Sequence, residues 1–440
     1  MIGFGADGAN SMLGARNSLS TLLKNDIPGL FVMKCICHSF ALCASYACAT
    51  LPKDVEDLAR DVFSYFSCSP KRIGDLKEFQ SFVNVKPHKL LHPSQTRWLS
   101  LHMVVSRLLE QWDALKLYFT GAVLNDRLIA SNTILQRLNN PFMKMYLEFL
   151  DFVLPIFNTL NLQMQSQSPQ IHKLHKSVLQ AFRSLLECYL KDDYLIKTPL
   201  SSIEFKDPSN FKDLSSIYLG VKVRMSLHQG HNLPLQDVQI FRQRCQIFLL
   251  EAATQICKRF PFAEATFQHL EVLDPDVVRS RSVDSLAALM SSFPSLVPSQ
   301  AVQALDSEWR LLRNSDILCS SSDRSVTEFW VRVQNAKLGD GKPMYPHLAS
   351  FMLRLLCLPH SSASVERTFS AINRMKTKLR NRLSTKTITG LLHSKRLVSN
   401  ANCHSLKITE ELRKGLNSDM YKKSCIDHKA TEEDDASDED

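Results

Sequence analysis

The sequence predicts a mostly helical α+β protein. Two observations carry that prediction. Glycine is scarce, with 13 residues in 440, under half the usual share of about 7%, and strand-and-turn folds consume glycine. Apolar residues also recur at helical spacing through most of the chain from His38 onward, whereas runs of strand length are confined to the start.

The elements follow in order. Residues 2–10 (IGFGADGAN) read as the end of a strand turning into a helix. Met12, Leu13, Leu19, Leu22 and Leu23 then repeat at helical spacing over 9–24. The run 29–36 (GLFVMKCI) is apolar and of strand length. Residues 96–118 carry Leu101, Val104, Val105, Leu108, Trp112, Leu115 and Tyr118 on one helical face. Two long helices are expected over 141–190, parted near 165–169, and another over 238–259. The polar stretch 196–232 reads as loop, and 273–300, with Pro275, Pro294, Pro298 and many serines, reads as a linker or boundary. Leu348, Phe351, Met352, Leu355 and Leu356 mark one more helix face, ended by Pro359. A helix over 363–383 follows, opened by Ser361 or Ser362 as a cap. Its apolar stripe is Val365, Phe369, Ile372, Leu379 and Leu383, and its basic stripe is Arg367, Arg374, Lys378 and Arg382. No internal repeat of solenoid length is visible.

Composition narrows the function classes. A hydrophobic fraction of 44% supports a sizeable core and excludes a wholly disordered chain. The net charge is +9, but residues 432–440 hold seven acids and no base, so the preceding body carries +9 + 7 = +16. A basic body suits a nucleic-acid partner. None of the 12 cysteines forms a Cys-x-x-Cys pair, and four of them (Cys35, Cys37, Cys43 and Cys48) share one apolar stretch. The first 25 residues show no secretory pattern, and no apolar run reaches membrane-spanning length. The expectation is an intracellular protein with reduced, buried thiols and no membrane partner.

Several local motifs have plain readings. Gly3, Gly5 and Gly8 match Gly-x-Gly-x-x-Gly, but too little strand precedes them for a dinucleotide turn and the βα alternation is missing. Asp7 follows a short apolar segment and precedes a helix, so it is either a cap or a metal-binding carboxylate at a strand end. Cys35, Cys37 and His38 lack the second ligand pair that a structural zinc site needs. Arg97 and Trp98 open a helix, where Trp serves as a packing anchor or as a base-stacking platform.

Four segments in order resemble one family. They are residues 6–14 (ADGANSMLG), the Cys-x-x-His pair Cys35 and His38, the Arg-Trp pair Arg97 and Trp98, and 345–348 with 359–370 (PHSSASVERTFS). Together they are similar to the hAT superfamily of cut-and-paste DNA transposases and their derivatives. The nearest likeness is to the transposase-like part of BED-zinc-finger and SCAN-domain fusion proteins. The resemblance implies a partial RNase H-like core over 1–120, a large helical insertion over 121–340, and a C-terminal dimerisation segment over 341–400 that completes the core. A polar, acidic and disordered tail is expected over 401–440.

In that family three carboxylates hold two divalent metals that drive phosphodiester transfer. The resemblance maps two of them to Asp7 and Glu366, which would take Mg2+ or Mn2+ in an active form. It places Cys35 and His38 near the scissile phosphate and Trp98 against a flipped base. Arg97, Arg367, Arg374, Lys378 and Arg382 would face DNA. Leu348, Phe351, Leu355, Val365, Phe369 and Ile372 would form core or dimer contacts. Only six residues precede Asp7, so the first family carboxylate is missing from the sequence as written. The expected function is therefore a dimerising, DNA-associating, nuclear protein without catalysis and without metal or small-molecule cofactor. The alternatives are an active metal-dependent transposase, should this be part of a longer chain, and an interaction module that does not touch DNA.

Overall fold

The computed structural model describes residues 1–93, 99–126, 128–229, 233–260, 262, 265–319, 323, 325–399 and 408–414. They divide into two compact units, Met1–Ser364 and Val365–Asp440.

The first unit opens with β1 (Gly3–Ala6), α1 (Asn10–Leu13), α2 (Leu19–Asp26), β2 (Phe31–Lys34) and α3 (Ile36–Cys48). Helices α4 (Lys53–Ser67), α5 (Pro70–Phe82), α6 (Leu99–Glu110), α7 (Trp112–Asp126), α8 (Ile129–Asn139), α9 (Pro141–Met164) and α10 (Ile171–Tyr189) follow. Next come α11 (Asp192–Lys197), α12 (Val221–Gln229), α13 (Leu235–Arg259), α14 (Ala265–His269), α15 (Pro275–Ser280) and α16 (Ala287–Ser292). The unit closes through α17 (Val302–Arg313), α18 (Val326–Gln334) and α19 (Pro346–Leu355). Helix α20 (Ala363–Met375) starts at its end and runs into the second unit, which adds α21 (Thr385–Ser399) and α22 (Glu410–Lys414). The mostly helical class expected from glycine scarcity and periodicity is what the chain adopts.

The strands pair in parallel, with Gly3 opposite Phe31 and Ala6 opposite Lys34. A parallel pair needs a crossover, and α1 and α2 provide it. Ser18 caps α2 through a capping box with Thr21. The two strand glycines have a packing reason. A Cβ on Gly3 would lie 2.6 Å from Pro359 Cδ, and one on Gly5 2.9 Å from Pro359 Cβ. Pro359 thus lies flush on this sheet face, which only glycine permits.

Helix α9 organises the core. Asn140 caps it by accepting the Phe142 N–H at 3.0 Å, and Pro141 fills the first helical position. Met143, Tyr146, Leu147, Leu150, Val153, Leu154, Phe157, Leu160 and Met164 are all buried along it. Such a residue set, apolar on more than one face, needs neighbours on several sides. Helices α3, α4, α6, α8, α10, α12 and α13 pack against it. The expected domain boundaries near 120 and 340 both fall inside this unit.

Three expectations are corrected. The helix over 96–118 is interrupted: α6 and α7 meet at Gln111, which is fully buried and accepts from Gln80 Nε2 at 2.8 Å while donating to the Lys86 carbonyl at 3.0 Å. The segment 273–300 is not a linker. Asp274 caps α15 with Pro275 at its first position, and Leu286, Leu289, Phe293 and Leu296 are buried. Buried Asp306 secures it by accepting the Ser285 hydroxyl at 2.8 Å and the Leu286 N–H at 2.9 Å. The prolines start helical turns there rather than breaking structure. The helix expected over 363–383 ends at Met375. Beyond it, Lys376, Lys378, Arg380 and Arg382 would set like charges four apart in a helix, and Leu379 is almost wholly exposed. Ser384 then caps α21 by accepting the Thr387 N–H at 3.2 Å.

Candidate functional site

The residues singled out by sequence fall on distinct parts of the chain. Asp7 leaves the end of β1, as the strand-end reading required, and is exposed. Its carboxylate accepts the Ala9 N–H at 3.2 Å just ahead of α1. That is the local capping role.

Cys35 and His38 part company. Cys35 ends the β2 segment at the N-terminal cap of α3 and is only 2% exposed. His38, one turn on, is exposed. The Cys35 sulfur accepts from the Ser362 hydroxyl at 3.1 Å and from the Ser362 N–H at 3.3 Å. Its thiol is pulled down to about 5, chiefly by a hydrogen bond from the Cys37 thiol. The Ser362 donors and the His38 amide add to that, and burial opposes it. Elsewhere burial pushes Cys43, Cys48 and Cys188 up to about 12. The surroundings of Cys35 thus favour its thiolate, whereas burial disfavours ionisation of Cys43, Cys48 and Cys188.

Ser361 donates to the Met164 carbonyl at 2.7 Å, at the end of α9. Ser361 and Ser362 therefore moor the approach to α20 to β2, α3 and α9. Sequence reading took these serines as helix caps. Their partners lie 197 and 327 residues away, a separation that no local pattern reveals.

Arg97 and Trp98 lie outside the described residues. So does most of the expected tail over 401–440, of which 408–414 is described and carries α22.

The six expected core or dimer residues split cleanly. Leu348, Phe351 and Leu355 on α19 are fully buried within the first unit, together with Trp309 and Trp330. Glu308 holds the start of α19 by accepting the His347 and Leu348 N–H groups at 3.0 and 2.8 Å. Val365 and Phe369 on α20 are instead 51% and 60% exposed, and Ile372 is half-buried. The first three are core and the exposed pair is surface.

At about 100° per residue, Val365, Phe369 and Ile372 share one face of α20, while Arg367 and Arg374 lie opposite. Lys378 and Arg382 lie beyond the helix, in the turn before α21. With Arg374, Lys376 and Arg380 they are exposed, and among the described residues none of these five has an ion-pair partner. Glu366, the third carboxylate of the resemblance, is exposed in the first turn of α20. It belongs to the second unit and Asp7 to the first.

The Asp7 carboxylate is turned onto its own backbone rather than toward a second ligand. Among the described residues no group of three or more His, Cys, Asp and Glu side chains is arranged to hold a metal ion. Among the same residues no helix is long and apolar enough to cross a membrane.

A family model matches part of the chain. Residues 307–397, from within α17 into α21, match the hAT family C-terminal dimerisation region. The match likens this stretch of the chain to a hAT self-association region.

Proposed function

We propose that this is a transposase-derived protein that self-associates through α20 and binds duplex DNA along the basic surface of 367–382, without cleaving it. One observation carries the reading. Within the matched dimerisation region, α20 exposes an apolar stripe on one face and arginines on the other. An exposed Phe and Val in line on one helix are best satisfied by burial against a partner. Arg374 on the opposite face, with Lys376, Lys378, Arg380 and Arg382 beyond it, is exposed and in position to meet phosphates. The non-cleaving part of the reading is supported by the Asp7 carboxylate, which is taken up by its own backbone at the Ala9 N–H.

Light scattering at micromolar concentration tests self-association. The expected mass is twice the 50.0 kDa of the chain, and the double variant Val365→Asp/Phe369→Asp is expected to run at half that mass with an unchanged circular dichroism spectrum. A monomeric parent protein overturns the proposal. For DNA, affinity should fall linearly on a log–log salt plot, with a slope of about −0.9 per phosphate contact. The triple variant Arg374→Ala/Lys378→Ala/Arg382→Ala should flatten that slope by two to three units. No duplex binding at low salt leaves the interaction-module reading in its place.

A further inference from the structure

A cavity of about 320 Å³ opens in the first unit, beside the β2–α3 junction that carries Cys35. One wall is β2 and the start of α3, with Val32, Met33, Lys34, Ile36 and Ser39. The other is α10, and the end of α13 with Phe260, Phe262 and Phe267 completes it. Its volume lies at the lower end of the range for small-molecule sites, roughly 300–1,000 Å³.

Two features of the lining select a ligand class. The first is charge. Lys34, His175, Lys258 and Arg259 all line the cavity, and no carboxylate does so among the described lining residues. These bases come from three separate elements, β2, α10 and α13. Cations in the last turn of α13 also answer the carbonyl end of that helix, but Lys34 and His175 have no such duty. His175 is oriented by Glu271 at 2.7 Å, and Arg259 lies over the Tyr46 ring at 5.1 Å from its centroid. Lys34 and Lys258 are exposed and have no ion-pair partner among the described residues.

The second feature is an aromatic wall. Phe260, Phe262 and Phe267 each lean on a second ring that does not line the cavity. Phe260 meets Phe40 at 4.8 Å, Phe262 meets Phe182 at 5.1 Å, and Phe267 meets Phe31 at 6.0 Å between centroids. A braced wall loses little freedom when it accepts a flat ligand, which favours binding. Flat aromatic surface together with converging cations suits a planar ring that carries a phosphate.

We propose that this cavity binds a nucleoside phosphate, with the base against the phenylalanine wall and the phosphate toward Lys34 and Lys258. The same chemistry is presented by a free mononucleotide and by the 5′-phosphorylated end of a single strand. No lining residue of the cavity lies on α20, so its failure and the failure of the DNA-binding reading are independent events.

Isothermal titration of the full chain tests it with four probes: AMP, adenosine, inorganic phosphate and 5′-phosphorylated tetrathymidylate. AMP is expected to bind at least tenfold more tightly than adenosine or phosphate alone, because each of these satisfies only half the site. A tighter fit for AMP than for the oligonucleotide assigns a free nucleotide, and the reverse order assigns a strand end. The double variant Lys34→Glu/Lys258→Glu changes two exposed side chains and should weaken the better probe at least tenfold. Lys116→Glu, an exposed lysine on α7, should leave it unchanged. Photolabelling with 8-azido-AMP, whose azide is on the base, gives a second readout and should mark a peptide that carries Phe260, Phe262 or Phe267. No heat with AMP or oligonucleotide at millimolar concentration overturns the proposal. So does unaltered affinity in the double variant, or a label confined to other peptides.

Discussion

At the scale of single residues, two titrating groups stand out. His172, in the first turn of α10, is buried, and that burial lowers it from 6.5 to about 4. Folding therefore favours the neutral ring. The unfolded chain binds the extra proton between those two values, so stability is lost as pH falls from about 6.5 to 4. Replacing His172 with Leu should flatten that part of the pH–stability curve in urea melts, and an equally steep curve in the variant would show that other groups cause it. Cys35 has the same sign over a different window. Its thiol is lowered from 9.0 to about 5, so the stability it contributes is complete above the unfolded value and is lost as pH falls toward 5. Thiolate absorbance near 240 nm should show one equivalent titrating near pH 5, and Cys35→Ser should remove it. Persistence of that equivalent in the variant would assign it to another cysteine.

At the scale of elements, burial separates helices that look alike in sequence. Phe157 on α9 is buried against Phe40, with ring centroids 6.2 Å apart. Phe157→Ala should cost about 3–5 kcal/mol in a denaturant melt. Phe369 sits in an equally regular stripe on α20 but is 60% exposed. Phe369→Ala should cost the monomer less than about 1 kcal/mol, because little area is lost from contact. Its effect should appear as weaker self-association instead. A large loss of monomer stability would mean that α20 packs as core. The β1 glycines belong at this scale too. Gly5→Val drives a branched side chain into Pro359 and should destabilise the protein by about 1–3 kcal/mol.

At the scale of the whole molecule, the first unit holds the packed interior, and the second carries the exposed Val365 and Phe369 together with the exposed cations Arg374, Lys376, Lys378, Arg380 and Arg382. Buried Leu348, Phe351 and Leu355 hold α19 in the first unit, and Ser361 and Ser362 tie down the segment that follows it. A Ser361→Ala/Ser362→Ala variant should keep its mass and duplex affinity if α20 acts autonomously. It should lose both if the mooring sets how α20 is presented. Sedimentation velocity and the salt series distinguish the two outcomes.

The sequence by itself determined the helical class, the positions of both strands, the limits of α9 and α10 to within a residue or two, and the charge asymmetry of the C-terminal region. These are local properties, written in glycine content, periodicity and charge order within a few turns. Tertiary structure decided the rest. Periodicity reveals that a face is apolar but not what covers it, so Phe351 and Phe369 looked equivalent until one proved buried and the other exposed. Prolines and serines over 273–300 read as a linker because the carboxylate that orders them, Asp306, lies outside the segment. Cys35 read as half of a Cys-x-x-His motif, yet its sulfur is held by Ser362, far along the chain. Each of these outcomes depends on a partner brought near only by folding, and on which polar groups had to be satisfied once water was excluded.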